Sequence, residues 1–235
     1  MTLSAKRALG VCVFLSIVAI GLFLVIGTKS AKMVSTKKHP HLAPTTTTTT
    51  FPTTTTTVTA GTLPQTDVLP SSTTVEFLSE MSSLWHAIAS NTVAGATFAF
   101  FPKSAYLQLK EIGNPSTDYE YRLIHDYDLD IKAAATLLGS DASTATFIGV
   151  NVPTQYAHWV NPGVCENGIG YYEVANSRLI YQVRGQIKSF GIASLISWRG
   201  MWYVVHLGGI LRSSDSGLVL DPATGTGYSV ASRTC

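Results

Sequence analysis

The chain has 235 residues and a formal net charge of +2, but that charge joins two unlike segments. Positions 1–66 carry Lys6, Arg7, Lys29, Lys32, Lys37 and Lys38 and no acid, whereas the chain from Asp67 onward is mildly acidic. The folded part thus lacks the basic stripe that a nucleic-acid binder needs, and nucleic acid is not an expected partner.

Ala8 to Gly27 is an uncharged apolar run of 20 residues. As a helix it would rise about 30 Å, one hydrocarbon thickness. The core of a cleaved signal peptide is shorter and ends in a small-x-small site. Thr28-Lys29-Ser30-Ala31-Lys32 offers a poor one. Residues 1–28 are therefore expected to be an uncleaved transmembrane anchor, with membrane lipid as the partner of Ala8 to Gly27.

Residues 29–73 have few large apolar side chains and cannot bury enough surface to fold alone. Two threonine runs, 45–50 and 53–57, flank Phe51-Pro52. That composition is expected of a disordered, O-glycosylated stalk. The four lysines after the apolar run would by the charge rule place the C-terminal side in the cytoplasm. The stalk chemistry argues for the exterior. So does the pair Cys165 and Cys235, whose number suits one disulfide in an oxidising compartment, the alternative being two free thiols. The expected location is the cell membrane, single-pass, with the C-terminal domain outside the cytoplasm.

The globular domain is expected at 74–208. Thr74 can cap a helix over 74–90, where Phe77, Met81, Leu84, Trp85 and Ile88 recur at helical spacing. Pro102 opens a second helix over 103–112, ended by Gly113-Asn114-Pro115. A third is expected over 128–138, with Gly139 behind it, the alternation of Leu129 and Ile131 leaving a strand as the alternative. His125-Asp126-Tyr127-Asp128, with Asp130, reads as a solvated turn and helix start with Asp128 as cap, or else as the source of an acid/base pair.

Strands follow at 146–152, 156–160, 169–174, 178–183, 186–198 and 201–207. The last three are separated by Arg184-Gly185 and Arg199-Gly200, two-residue links of hairpin type. Taken literally, these pair Val183 with Gln186 and Trp198 with Met201. One face then collects Leu179, Tyr181, Val183, Phe190, Ile192, Ile196, Trp198, Met201, Tyr203, Val205 and Leu207. The opposite face holds Arg178, Gly191, Ala193, Trp202 and His206. In this register Arg178 lies opposite Gly191 and His206 opposite Ala193, flanking a trough that suits a carboxylate or phosphate. Those five residues are the candidate ligand site. The competing reading is close packing of another element on the small residues. The tail, 209–235, is expected to be irregular.

Helices followed by a long bent antiparallel sheet make an α+β layer arrangement. Its order resembles the NTF2-like (SnoaL-like, cystatin-like) cone, N-terminal helices packed on a curved antiparallel sheet. Three segments, Phe100-Phe101-Pro102-Lys103-Ser104-Ala105-Tyr106, Pro162-Gly163-Val164-Cys165-Glu166-Asn167 and the stretch from Ser189 to Gly208, are similar to a family of uncharacterised, membrane-anchored actinobacterial envelope proteins. That resemblance spans residues 84–208. It implies an exported domain with a cysteine pair and no assigned activity.

No Gly-x-Ser-x-Gly, Walker or dinucleotide fingerprint occurs. Only His39 and His41, both in the stalk, stand at a metal-ligand spacing. Neither cofactor nor metal is expected. The functional expectation is an extracytoplasmic binding or accessory domain of the cell envelope, meeting an envelope protein, a wall polymer or a small ligand. The alternative is an NTF2-like lyase, isomerase or hydrolase working in a conical pocket.

Overall fold

Two Arg-Gly turns set the register of the sheet. In the computed structural model, which describes residues 59–212 and 214–233, Arg184 and Gly185 have φ of 51° and 75°, and Arg199 and Gly200 have 51° and 77°. Two successive left-handed residues make the turn whose twist matches antiparallel strands. They link β3 (Tyr171–Val183), β4 (Gln186–Trp198) and β5 (Met201–His206). Val183 pairs with Gln186 and Trp198 with Met201, as the two-residue links require. β1 (Thr146–Asn151) and β2 (His158–Val160) pair with different parts of β3, and β6 (Leu220–Thr224) pairs with β4, completing six antiparallel strands. The segments expected as separate strands at 169–174 and 178–183 are one strand, with Asn176 at φ 56° where the pattern breaks.

The helices cover the face the register predicts. Leu179, Tyr181, Val183, Phe190, Ile192, Ile196, Trp198 and Tyr203 are all buried. Trp85 stacks on Tyr181 with ring centroids 5.2 Å apart, and Phe101 meets Trp198 and Tyr203 edge-on at 5.9 and 6.0 Å. Trp85 belongs to α1 (Val75–Ala89), whose cap is Thr74: its hydroxyl accepts from the Phe77 N–H at 3.2 Å. α2 (Lys103–Leu109) follows Pro102 and is shorter than expected.

The third helical region departs from the sequence reading. It starts at α3 (Pro115–Asp118), passes through a π-helical turn (Tyr119–Leu123) and continues as α4 (Ile124–Leu138). Asn114 caps it, accepting from Thr117 N–H at 3.1 Å. Asn114-Pro115 thus starts one helix as well as following another, since proline suits the first helical position. His125, Asp126 and Asp128 consequently lie inside a helix, and Asp128 caps nothing. The stripe Tyr119, Leu123, Tyr127, Ile131, Ala134, Leu138 is buried along this helix, and it is what the turn reading overlooked.

Both ends of the folded body also differ from expectation. Gly61 is buried, the Trp198 indole N–H donates to Ala60 O at 3.1 Å, and the Gln65 amide donates to Ser197 O at 2.8 Å. Residues 59–73, assigned to the stalk on composition, therefore contribute to the structure: a polar segment that cannot build its own core can still hydrogen-bond to a sheet already formed. Residues 8–27, with the expected anchor, and the threonine runs lie outside the described residues. Among the described residues no helix is long and apolar enough to cross a membrane. The tail, expected to be irregular, supplies β6.

Asp130 of α4 ties that tail down. Its carboxylate is buried, 1 % exposed. It accepts from the backbone N–H groups of Gly208 and Leu218, each at 2.8 Å, and from the Arg212 guanidinium at 3.1 and 3.2 Å.

Glu80 of α1 faces inward without such support. One carboxyl oxygen is buried with no hydrogen-bond partner among the described residues. Burial first, and the Glu76 charge second, push its pKa from 4.5 to about 8. Its charge acts through space on Tyr127 and Tyr203. A carboxyl raised on folding contributes stability that is complete below pH 4.5 and is lost as the pH climbs through about 8. Urea midpoints measured from pH 5 to 9 should therefore fall for the wild type and stay nearly level for Glu80→Gln. Parallel curves for the two proteins would remove Glu80 as the cause.

Candidate functional site

One extra residue in β5 decides where His206 points. β5 pairs with β4 in even register up to Leu195 opposite Val204, and then Ser194 lies opposite His206. Val205 is the bulged residue. A slip of one residue moves a side chain to the other face of a sheet. Unbroken alternation placed His206 opposite Ala193, on the face away from the helices. The bulge places it opposite Ser194, which shares the helix-covered face with Ile192 and Ile196.

There His206 lines a cleft of about 240 Å³ between α2, the π turn, the loop before β3, and the sheet. Leu109, Leu123, Ile196, Val205 and Ile210 form its apolar surface, and Tyr106, Lys110, Arg122, Asn167, Tyr171, Ser194 and His206 its polar one.

The polar side chains are largely held by one another. Arg122 grips Asp118 with two bonds, Nε to Oδ1 at 2.7 Å and Nη2 to Oδ2 at 2.6 Å, and Nη2 also reaches the Tyr106 hydroxyl at 3.1 Å. The Tyr106 hydroxyl donates to Asp118. Hydrogen bonding from Arg122 holds the Asp118 carboxyl below its ordinary range, against the effect of burial. Burial, helped by the bond to Asp118, pushes the Tyr106 hydroxyl up. Asn167 donates to the Tyr171 hydroxyl at 3.0 Å and to Val164 O at 2.9 Å.

Lys110 and His206 are differently placed. Lys110 donates to Cys165 O at 2.8 Å and has no carboxylate within 4.0 Å among the described residues. Burial, then the Arg122 charge, pull its pKa down. His206 is pushed from 6.5 to about 4, by burial first and then by Arg122, Arg212 and Lys110, with only Asp118 opposing. Its imidazole is neutral at physiological pH. Of the three cations acting on it, Arg122 is paired with Asp118 and Arg212 with Asp130, whereas Lys110 has no carboxylate within 4.0 Å among the described residues.

Behind the wall, the Ser194 hydroxyl donates to Glu173 Oε1 at 3.1 Å, and His158 Nε2 lies 3.4 Å from Oε2 of the same fully buried carboxylate. Ser194 is thus committed to Glu173. Among the described residues, no carboxylate hydrogen-bonds to His206. The arrangement supplies donors and the cation of Lys110. It does not supply an acid/base pair facing a shared point.

The five residues expected to form one trough are not brought together. Arg178 does lie opposite Gly191. However, Leu220 of β6 rests on Gly191, where an added Cβ would come within 2.7 Å of it, and Gly227 rests on the Arg178 guanidinium. The small residues accommodate the chain's own C-terminal segment, which was the competing reading. Trp202 is fully buried opposite Ser197, so it presents no binding surface. Nor do His125 and Asp126 form a pair: His125 reaches Asp215 at 2.7 Å on the exposed surface, and Asp126 lies 3.6 Å from Arg212.

Sequence reasoning missed Tyr106, Lys110, Arg122 and Asn167. Asp118 and Arg122, four apart, would have signalled a charged helical pair had 115–123 been read as helix. Cys165 has φ 53°; Cys235, its expected disulfide partner, lies outside the described residues. No cluster of His, Cys, Asp and Glu suited to a metal occurs among the described residues. No family model, curated protein or solved structure matches this chain.

Proposed function

We propose that the chain is an envelope binding module: an NTF2-like cone, anchored through Ala8 to Gly27 and held outside the membrane, whose cleft takes a small amphipathic acid. The observation that carries this reading is Lys110. It is a desolvated cation without a carboxylate partner among the described residues. It sits over an apolar floor beside a neutral histidine that can donate or accept. A cleft of about 240 Å³ suits a small ligand better than a wall polymer or the surface of an envelope protein. The NTF2-like assignment draws on the layering of helices against an antiparallel sheet. Anchoring and exterior placement draw on the apolar run, the Thr/Pro tract and the likeness to membrane-anchored actinobacterial envelope proteins. The strap from Cys165 to Cys235 belongs to the same proposal.

The alternative, a small-molecule lyase, isomerase or hydrolase, has one observation in its favour. Glu173 is buried a single hydrogen bond behind the cleft wall. Ser194 stands between that carboxylate and the cavity, so binding is the better-supported reading.

Calorimetric titration of the full chain with hexanoate tests it. A charge-assisted hydrogen bond is worth roughly 1.5–3 kcal/mol, so Lys110→Met should weaken binding about tenfold or more. Affinity should stay level from pH 5.5 to 7.5, because His206 titrates near 4. It should fall on the alkaline side as Lys110 discharges earlier than an ordinary lysine. Equal affinity in the wild type and Lys110→Met would sink the assignment.

A further inference from the structure

The described part of the chain holds a buried cation for which it supplies no anion. Arg178 of β3 is 2 % exposed. A guanidinium stays protonated in proteins, so its charge cannot be relieved by losing a proton. Its Nη2 donates to two neutral acceptors, Ser189 Oγ and Asp221 O, each at 2.8 Å. Its Nε is buried and has no hydrogen-bond partner among the described residues. No carboxylate lies within 4.0 Å of it among the described residues. The side chain of Asp221, which is exposed, acts on it only through space. Buried charges are ordinarily paired, because an unpaired one loses its hydration and gains nothing in return.

Arg178 also lines a cleft of about 630 Å³, whose other wall is the segment 221–228. That wall carries backbone donors that no described residue uses. Gly225 N–H is used on Ile187 O at 2.8 Å. The N–H groups of Thr226, Gly227 and Tyr228 donate to no described residue. Gly225 and Gly227 have φ of 79° and 69°, and left-handed residues alternating along a loop turn successive amides toward one concavity. A cation fixed by β3 and a run of amides that no described residue uses therefore share one cleft.

We infer that Arg178 and the loop 225–228 form an oxyanion site, distinct from the His206 cleft, that takes a single carboxylate or phosphate group. The group accepts from Arg178 Nε and from the loop amides. Gly227 lies against the guanidinium so closely that a Cβ there would stand 2.5 Å from Nε. The loop must lift to admit the ligand, and its glycines are where it bends. The occupied site then holds the C-terminal segment onto the sheet, so the anion acts as a clasp for the tail.

The test is thermal unfolding of the full chain at pH 7 and fixed ionic strength, titrated separately with inorganic phosphate and with acetate. Ligand that binds only the folded state raises Tm saturably. A saturable rise of several degrees is expected with at least one of the two anions, and which one identifies the chemistry as phosphate or carboxylate. Because the Lys110 cleft is itself proposed to take a carboxylate, the comparison is made in Lys110→Met: the rise should persist there and vanish when Arg178→Met is added to it. No saturable rise with either anion in Lys110→Met, or an equal rise in the double variant, overturns the inference. Should Arg178→Met fail to fold, the Arg178 Nε–H resonance of the wild type decides. It must shift saturably with the same anion, and a resonance that stays still ends the proposal.

Discussion

Replacing Asp130 with alanine should cost roughly 3–5 kcal/mol, the range for removing one partner of a buried charge pair. The loss has several sources. Arg212, mostly buried beside Asp130, would keep its charge with only Asp126 nearby at 3.6 Å. The Gly208 and Leu218 N–H groups would lose the acceptor they now share. Both residues bracket the loop that carries the chain from β5 to β6, so the strand beyond it should loosen as well. Urea unfolding measures the first effect. Hydrogen exchange at Gly208 and Leu218 measures the second. Asp130→Asn keeps the shape, and one of its oxygens, while removing the charge, so it should fall between the wild type and alanine. If Asp130→Ala unfolds at the wild-type midpoint, the tail is held by β6 pairing alone.

Trp198→Ala should be comparably severe. The side chain is 1 % exposed and packs against Phe101 edge-on. Truncating a buried aromatic to alanine costs about 3–5 kcal/mol, through lost transfer energy and the cavity left behind. Trp198→Phe separates a second contribution. It keeps most of the apolar volume but removes the indole N–H that donates to Ala60 O. A typical hydrogen bond contributes about 0.5–1.5 kcal/mol net, and here it joins the first described segment to the sheet. The phenylalanine variant should therefore lose modest global stability while residues 59–66 become the first site of proteolytic cleavage. Cleavage at the wild-type rate would mean that Gln65, with its bonds to Ser197 O and the Arg199 N–H, suffices to hold that segment.

The parts of the fold legible in the sequence are those whose causes lie within a few residues. Thr74 precedes a helical stripe and caps it. Each Arg-Gly pair stands between alternating strands and forms the hairpin. Once those turns are two residues long, the pairing of Val183 with Gln186 and Trp198 with Met201 follows, and with it the face on which Phe190 and Ile192 are buried. The long helix was misread for a local reason too. Asn114-Pro115 ends one pattern and opens another, and only the stop was seen. The candidate site was less legible, because one bulge at Val205 reverses His206 and nothing in the alternation of β5 announces it.

By itself the sequence determined the α+β layering, the register of β3 with β4, that of β4 with β5 as far as Leu195 opposite Val204, and the inward face of the sheet up to that point, because helix period, strand period and turn chemistry are properties of neighbouring residues. Tertiary structure alone decided that residues 59–66 are hydrogen-bonded to the sheet and 220–224 join it, that Leu220 fills the trough over Gly191, and that His206 shares a cleft with Tyr106, Lys110 and Arg122. Those outcomes join groups far apart in sequence, 138 positions between Trp198 and Ala60 and 78 between Gly208 and Asp130. Each forms only where a donor, an acceptor or a gap left by a missing Cβ has already been positioned by the packed core.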